Sequence, residues 1–90
     1  MSEAYLEIAT SEGVKRVTLT EQPVTIGRLA ENVVPLDDHQ VSRRHCVVEQ
    51  VDSGYQIRDL GSRNGTKVND YRVITASLTP GDAIIVGTTE

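Results

Sequence analysis

Short stretches in which apolar and polar residues alternate recur along the chain and predict β-strands. In the first stretch, Leu6 and Ile8 alternate with Glu7. This period of two is typical of a strand with one buried face and one wet face. Further stretches that predict strands lie at residues 16–20, 24–27, 33–36, 46–51, 55–58, 66–69, 71–74 and 83–86.

Turn residues separate these stretches, namely Glu12-Gly13, Asp52-Ser53-Gly54, Asn69-Asp70 and Pro80-Gly81-Asp82. Pro35 confines the short apolar piece around it to a sheet edge or a single turn, because proline has no N–H to donate. No segment of ten or more residues has a helical period, although residues 29–33 or 75–80 could each form one short turn of helix. Many short strands at near-regular spacing predict an all-β sandwich or barrel.

Length and composition predict one domain over residues 1–90, because the 90 residues are too few for two cores. The chain has no Trp and no Phe, so its core must come from Val, Ile and Leu, which suit strands. The single cysteine, Cys46, excludes an intrachain disulfide and is predicted to be a small buried hydrophobe. The start has no signal-peptide pattern and no apolar run reaches the ~20 residues of a membrane span, so we expect a cytoplasmic location.

Charge argues against general binding of nucleic acid or membranes, since the formal net charge is -4. Four arginines nevertheless lie in or beside turn-like segments: Arg28, Arg43, Arg44 and Arg63. Their placement on an acidic background suggests one local anion site, although charge alone leaves scattered solvated arginines equally open.

Three turn segments offer hydrogen-bond donors for an anion: Gly27-Arg28, residues 42–45 and residues 59–66. Arginine presents a planar fork of N–H groups that matches phosphate oxygens, and serine hydroxyls and backbone N–H groups add neutral donors. Glycines in these segments let the backbone come close to a partner.

These segments resemble the signature of the forkhead-associated (FHA) domain family. The matching residues are Gly27-Arg28, Ser42-x-x-His45 and Asp59-x-Gly61-Ser62-x-Asn64-Gly65-Thr66-x-Val68-Asn69. Their order and spacing fit the family, and the resemblance covers residues 4 to about 88. It implies a β-sandwich of about eleven short strands that binds phosphothreonine peptides on loops at one end. It also implies a binding module that is not an enzyme and needs no cofactor or metal.

The resemblance also implies roles for individual residues. Three positions would hold the phosphate: Arg28, Ser42 and Arg43. Five would contact the peptide: Gln40, Ser62, Arg63, Asn64 and Gly65. Three would support the loops: Gly27, His45 and Asp59. Asn64 would hydrogen-bond the peptide backbone beside the phosphothreonine, and Gln40 would read a side chain beyond it.

The resemblance leaves the end of the fold open. Family members usually have one more strand after the segment that matches residues 81–86, and only four residues follow Val86 here. The last strand could be missing, its edge could be open, or a partner could supply it.

The implied partner is a phosphothreonine-containing protein, or a phosphorylated segment of the same protein, with a Ser/Thr kinase upstream. One alternative is an FHA-like scaffold that binds without phosphate, for example by homo-oligomerisation. Another is a small β-barrel that binds nucleic acid, which the absence of Phe and Trp stacking platforms disfavours.

Two further alternatives rest on side chains near the signature. Ser42, His45 and Asp59 are the ingredients of a hydrolase triad, but no nucleophile elbow surrounds Ser42. Asp37, Asp38, His39 and His45 lack a recognisable metal-ligand spacing.

Overall fold

The described part of the chain contains ten β-strands and no helix. The computed structural model describes residues 4–10, 13–52 and 54–86. Its strands are β1 (Tyr5–Thr10), β2 (Gly13–Thr18), β3 (Val24–Gly27), β4 (Val34–Pro35), β5 (Cys46–Val51), β6 (Gly54–Asp59), β7 (Thr66–Val68), β8 (Tyr71–Val73), β9 (Thr75–Leu78) and β10 (Ile84–Val86). In these residues, no helix is long and apolar enough to cross a membrane.

The strands form two five-stranded sheets, which confirms the predicted all-β sandwich. One sheet has the order β2-β1-β10-β7-β8 and the other has the order β4-β3-β5-β6-β9. Neighbouring strands are antiparallel except for β1 with β10 and β3 with β4. Pro35 lies in the edge strand β4, the kind of position that the missing proline N–H requires.

The core lies between the sheets and is aliphatic. Leu6 and Ile8 are buried while Glu7 between them is exposed, as the alternation predicts. The buried cluster consists of Leu6, Ile8, Val24, Ile26, Val34, Leu36, Val41, Cys46, Val48, Ile57, Val68, Ile84 and Val86. Each fully buried aliphatic side chain contributes about 1.5–3 kcal/mol, so this cluster is the main source of stability.

Cys46 is part of this core and has no exposed surface, which confirms the predicted buried hydrophobe. Burial raises the pKa of its thiol to about 12. The thiol therefore has almost no thiolate at neutral pH and is chemically inert.

Neither of the two segments that could form a short turn of helix is helical. Residues 75–78 form β9, because Ala76 and Leu78 pack against the core while Thr75 and Ser77 are exposed, a period of two. Residues 29–33 contain one hydrogen-bonded turn, in which the Asn32 N–H donates to the Leu29 carbonyl oxygen at 3.1 Å. Glu12, Ser53 and residues 87–90, the four residues that follow Val86, lie outside the described residues.

Three connections meet at one end of the sandwich and carry the signature residues. They follow β3 (residues 28–33), precede β5 (residues 36–45) and join β6 to β7 (residues 60–65). The backbone ladder between β3 and β5 continues beyond the strands, since the His45 N–H donates to the Ile26 carbonyl oxygen at 2.9 Å. The sheets therefore place all three connections side by side.

Candidate functional site

Ser42 is the point at which the three connections meet. Its carbonyl oxygen accepts the Arg28 N–H at 3.0 Å, and its hydroxyl oxygen accepts the Arg63 N–H at 2.9 Å. Around this point lies an open cavity of about 200 Å³ that is lined by Arg28, His39, Gln40, Val41, Ser42, Arg43, Arg63 and Asn64. The structure thus brings together six of the residues predicted for phosphate and peptide binding.

Gly27 sets the distance between the first two connections. A Cβ atom at this position would lie 2.2 Å from the Arg43 carbonyl oxygen and 2.8 Å from the Asn32 Nδ2 atom. Both distances are shorter than side chains allow, so the close approach depends on glycine.

Asn32 was missed by the sequence analysis and binds the same two connections together. It is only 7% exposed, and its Nδ2 atom donates to the carbonyl oxygens of Leu29 and Arg43, each at 2.9 Å. The only sequence signal is an amide side chain inside a long irregular segment, where buried backbone groups need partners.

His45 joins the second and third connections and is fully buried. Its Nδ1 atom accepts the Ser42 N–H at 3.1 Å, and its Nε2 atom donates to the Gly65 carbonyl oxygen at 2.7 Å. These two bonds fix the ring tautomer with hydrogen on Nε2. Since both ring nitrogens are engaged by backbone groups, His45 has the contacts of a structural support.

Asp59 organises the third connection from the end of β6. Its carboxylate accepts the N–H groups of Gly61 and Ser62, each at 2.9 Å, and the Thr66 hydroxyl at 2.8 Å. Burial alone would raise the pKa of Asp59, but the hydrogen bonds from Ser62, Thr66 and Gly61 outweigh it and hold this pKa below its usual value. The carboxylate is therefore charged, and its hydrogen bonds are made with residues 61–66.

These contacts leave no catalytic relay among Ser42, His45 and Asp59. His45 accepts the Ser42 backbone N–H rather than its hydroxyl, and the Asp59 carboxylate bonds the 61–66 segment. In residues 4–10, 13–52 and 54–86, no group of three or more His, Cys, Asp and Glu side chains is arranged to hold a metal ion.

Ser62 and Asn64 differ in what they leave for a ligand. The Ser62 hydroxyl donates to the Asp59 carboxylate and accepts the Gly65 N–H at 3.0 Å, so it is used inside the loop. The Asn64 Nδ2 atom donates to the Gln40 carbonyl oxygen at 2.8 Å and to its side-chain oxygen at 3.1 Å. The Asn64 Oδ1 atom makes no hydrogen bond with the described residues, and it is the atom that can accept from a ligand.

Comparison with known proteins identifies the family. The profile of the FHA domain matches residues 24–87. The chain belongs to the FHA domain family. Among curated proteins, it is 40% identical over 75 residues to the FHA domain-containing protein FhaB of Mycobacterium tuberculosis, covering 82% of this chain and 48% of FhaB. The chain thus spans about half the length of such relatives.

Solved structures agree with this assignment. One, from a study of phosphothreonine-dependent FHA domain interactions, is 32% identical with a TM-score of 0.82, covering 96% of this chain and 88% of that one. Another is EmbR of Mycobacterium tuberculosis in complex with a low affinity phosphopeptide, 35% identical with a TM-score of 0.78, covering 92% of this chain and 22% of EmbR. FHA domains are binding modules rather than catalysts.

The site of this FHA domain is positively charged. Arg28, Arg43 and Arg63 are exposed, and none of the described residues that line the cavity carries a carboxylate. Arg44 does not line the cavity, and it is ion-paired to Glu31 on the surface. Guanidinium groups without a counter-charge attract anions, and phosphate matches their fork of N–H donors.

A larger cavity of about 560 Å³ lies at the opposite end of the FHA domain. Tyr55 at the start of β6 and Leu78 at the end of β9 are among its mostly apolar lining. Among the described residues of that lining, the charged side chains are the carboxylates Glu7 and Asp82, without any lysine or arginine. This cavity does not fit a phosphate, so size alone does not mark the site.

Proposed function

We propose that this FHA domain is a non-catalytic module that binds phosphothreonine-containing segments after a Ser/Thr kinase has acted. It would recruit a phosphorylated partner, or a phosphorylated segment of its own protein, in cytoplasmic signalling. The observation that carries the proposal is the convergence of Arg28, Ser42 and Asn64 on one cavity whose described lining contains no carboxylate. The phosphothreonine-dependent interactions and the phosphopeptide complex described for similar structures support it.

The phosphate would bind between the first two connections. Phosphothreonine carries about -1.5 to -2 charge and three acceptor oxygens. The guanidinium groups of Arg28 and Arg43 offer charged donors, and the Ser42 hydroxyl still has its hydrogen to donate because it acts as acceptor toward Arg63. Charge-assisted hydrogen bonds contribute about 1.5–3 kcal/mol each, so two or three of them account for micromolar affinity, about -8 kcal/mol.

The peptide backbone would bind on the third connection. The Asn64 Oδ1 atom would accept a backbone N–H beside the phosphothreonine. Gln40, which Asn64 holds by two hydrogen bonds, would contact a side chain further along. Arg63 lines the cavity and would lie beside the threonine methyl group, and Ser62 and Gly65, which are bonded to each other behind the lining, would shape that part of the pocket. This fit would favour phosphothreonine over phosphoserine.

Substitution of Arg28 tests the proposal. We expect Arg28→Ala to weaken binding of a phosphothreonine peptide by about 100-fold or more, since removing one partner of a charged hydrogen-bonded pair costs about 2–5 kcal/mol. Titration calorimetry with matched threonine, phosphothreonine and phosphoserine peptides measures this effect. Arg44→Ala is the matched control, because Arg44 is paired to Glu31 and should leave affinity within about twofold.

Two results would contradict the proposal. Full affinity in Arg28→Ala would remove that residue from the phosphate site. Equal binding of threonine and phosphothreonine peptides by the unmodified domain would instead favour a scaffold that binds without phosphate.

A further inference from the structure

A row of five side chains crosses the outer face of one sheet, away from the loop cavity. In the sheet β2-β1-β10-β7-β8, Ala9 pairs with Val14 on one side and with Ile85 on the other. Ile85 also pairs with Lys67, which pairs with Arg72. Directly paired residues point to the same face of a sheet, so these side chains form one line across all five strands. We call this line the sheet row: Val14, Ala9, Ile85, Lys67 and Arg72.

The sheet row faces solvent. The chain neighbours of three of its members, Ile8, Ile84 and Val68, are buried in the core, and successive side chains along a strand point to opposite faces. Val14 is 67% exposed, the two cations of the row are exposed, and its other two members are half-buried. The row therefore presents an aliphatic half and a cationic half to its surroundings.

The cationic half of the row holds two like charges side by side. Lys67 on β7 lies directly opposite Arg72 on β8, an arrangement that destabilises a sheet. Neither side chain makes a hydrogen bond or an ion pair with the described residues. On the same sheet, Arg16 is by contrast ion-paired to Glu7 at 2.8 Å. An anion from outside the domain would relieve the repulsion between the two cations of the row.

The corresponding row on the other sheet lacks this binding chemistry. It consists of Thr25, Val47, Arg58 and Thr75, which are paired across β3, β5, β6 and β9. Its valine is only 6% exposed, and its arginine is bonded to Glu49 at 3.0 Å. The aliphatic side chain is thus already covered and the cation already neutralised, so the two outer faces of the sandwich differ.

We propose that the sheet row is a docking surface for a segment of a partner protein in which aliphatic side chains lie beside carboxylates. The aliphatic side chains cover Val14, Ala9 and Ile85, and the carboxylates bind Lys67 and Arg72. Five strands about 4.8 Å apart span about 19 Å, the length of about six extended residues, so a short segment covers the row. The contact requires no phosphate and lies outside the loop cavity.

Charge complementarity selects this occupant over two others. Two copies of the domain that met row to row would bring four cations together without a carboxylate from either row, and Glu7, which shares this face, is already paired to Arg16. A nucleic acid would neutralise the cations with its phosphates but would leave the aliphatic half of the row uncovered. An acidic segment with aliphatic residues matches both halves.

NMR titration of the domain tests the proposal. The probe is an unphosphorylated peptide of about eight residues, slightly longer than the row, with leucines in one half and glutamates in the other. A comparison peptide has lysine in place of each glutamate. We expect amide chemical shifts to change at the sheet row, and the lysine peptide to bind at least about fivefold more weakly, since it exchanges exposed ion pairs for repulsion.

Lys67→Glu should weaken binding of the glutamate peptide about fivefold or more. It should also raise the melting temperature by about 1–5 °C, because a glutamate opposite Arg72 replaces like charges with a favourable pair. Lys15→Glu is the charge-matched control, since Lys15 pairs with Ile8 and points to the other face, and it should keep affinity within about twofold. Arg72 is left unchanged because its side chain lies over Gly65, in the third connection.

Val14→Ser tests the aliphatic half of the row. Val14 is well exposed, so the variant should fold, and the loss of apolar contact should weaken both peptides about threefold. Val51→Ser is the matched control, because Val51 is an exposed valine on β5 in the other sheet. It should bind both peptides like the unmodified domain.

Several results would overturn the proposal. They are an absence of shifts at the sheet row, equal binding of the two peptides, full affinity in Lys67→Glu or Val14→Ser, and an equal loss in Lys15→Glu. A lower melting temperature in Lys67→Glu would show that Lys67 already has a partner within the domain. Shifts at Arg28, Ser42 and Asn64 instead of the row would place the peptide in the loop cavity, and sedimentation of the free domain as a dimer held by the row would make a second copy the occupant.

The proposed function has a separate readout. Lys67 does not line the loop cavity, so Lys67→Glu should bind a phosphothreonine peptide within about twofold of the unmodified domain. Failure of the unmodified domain to bind any phosphopeptide contradicts the proposed function and leaves the sheet row as a docking surface. Failure of the glutamate peptide to bind the row leaves phosphothreonine binding standing.

Discussion

Gly27 shows how the absence of a side chain shapes the site at the residue scale. Its Cα lies so close to the Arg43 carbonyl oxygen that a methyl group has no room. The same oxygen accepts hydrogen bonds from the Leu29 N–H and from Asn32, so it is not free to move away. The glycine thereby fixes how near Arg28 and Arg43 lie to each other.

Gly27→Ala should therefore impair both stability and binding. Overpacking of this kind costs about 1–3 kcal/mol, and the added methyl group would push the two connections apart. We expect a lower urea midpoint and at least about tenfold weaker phosphopeptide binding. Gly81→Ala is the control, since its φ of 91° makes alanine strained in open space far from the site. That variant should lose stability but keep affinity, and normal binding by Gly27→Ala would refute the steric argument.

The sequence predicts the site residues that have distinctive chemistry, but it does not predict Asn32, whose role depends on the fold. Arg28, Ser42 and Asn64 stand in a spaced signature, so their convergence was predictable. Asn32 stands in no such pattern, because its partners are carbonyl oxygens that come near only when the first two connections meet. The two hydrogen bonds of the Ser62 hydroxyl within its own loop were likewise not predictable, because they depend on the conformation of the turn.

At the scale of elements, the hairpin between β7 and β8 was predictable and β9 was not. Asn69-Asp70 separates two apolar stretches and is a known turn pair, and both residues have positive φ, 52° and 75°. The segment 75–78 is short, and its alternation of Ala76 and Leu78 is too brief to separate strand from turn. Pairing with β6 decides its conformation, and that partner is distant in sequence.

The hairpin carries a prediction about stability. Two consecutive positive φ angles favour glycine at the second turn position, and aspartate there is strained. We expect Asp70→Gly to raise the free energy of unfolding by about 0.5–1 kcal/mol and Asp70→Val to lower it. Urea denaturation with an unchanged slope measures both, and phosphopeptide affinity should stay the same. A loss of stability in Asp70→Gly would show that the Asp70 side chain has a role in the turn.

At the scale of the whole molecule, the site belongs to both sheets at once. Asp59 ends β6 in one sheet and bonds Thr66, which begins β7 in the other. His45, which precedes β5, reaches the Gly65 carbonyl oxygen across the same junction. The residues that shape the cavity therefore also hold the two sheets together at this end, and site integrity depends on the packing of the sandwich.

This double role predicts how stability depends on pH. The folded-state pKa of Asp59 is held below its usual value, so the folded protein binds fewer protons than the unfolded chain as the pH falls. Its stabilising contribution is present above the ordinary carboxyl range and is lost as the pH falls through that range toward the folded pKa. The pKa of Asp82 is lowered chiefly by a hydrogen bond from the Thr79 backbone N–H, and the pKa of Glu49 is lowered chiefly by a hydrogen bond from Arg58. Both carboxylates therefore change stability with pH in the same direction as Asp59.

We therefore expect the free energy of unfolding to decline from about pH 5 to pH 3, and Asp59→Asn to flatten part of that decline. The amide in place of a carboxylate also loses charged hydrogen bonds, so the variant should be about 1–2 kcal/mol less stable at pH 7. Urea titrations at several pH values measure both effects. Asp52→Asn is the control, since the Asp52 carboxylate makes no hydrogen bond or ion pair with the described residues, and its curve should run parallel to that of the unmodified domain. An Asp59→Asn curve that is also parallel would mean that folding does not lower the pKa of Asp59, and that this carboxylate does not contribute to the loss of stability at low pH.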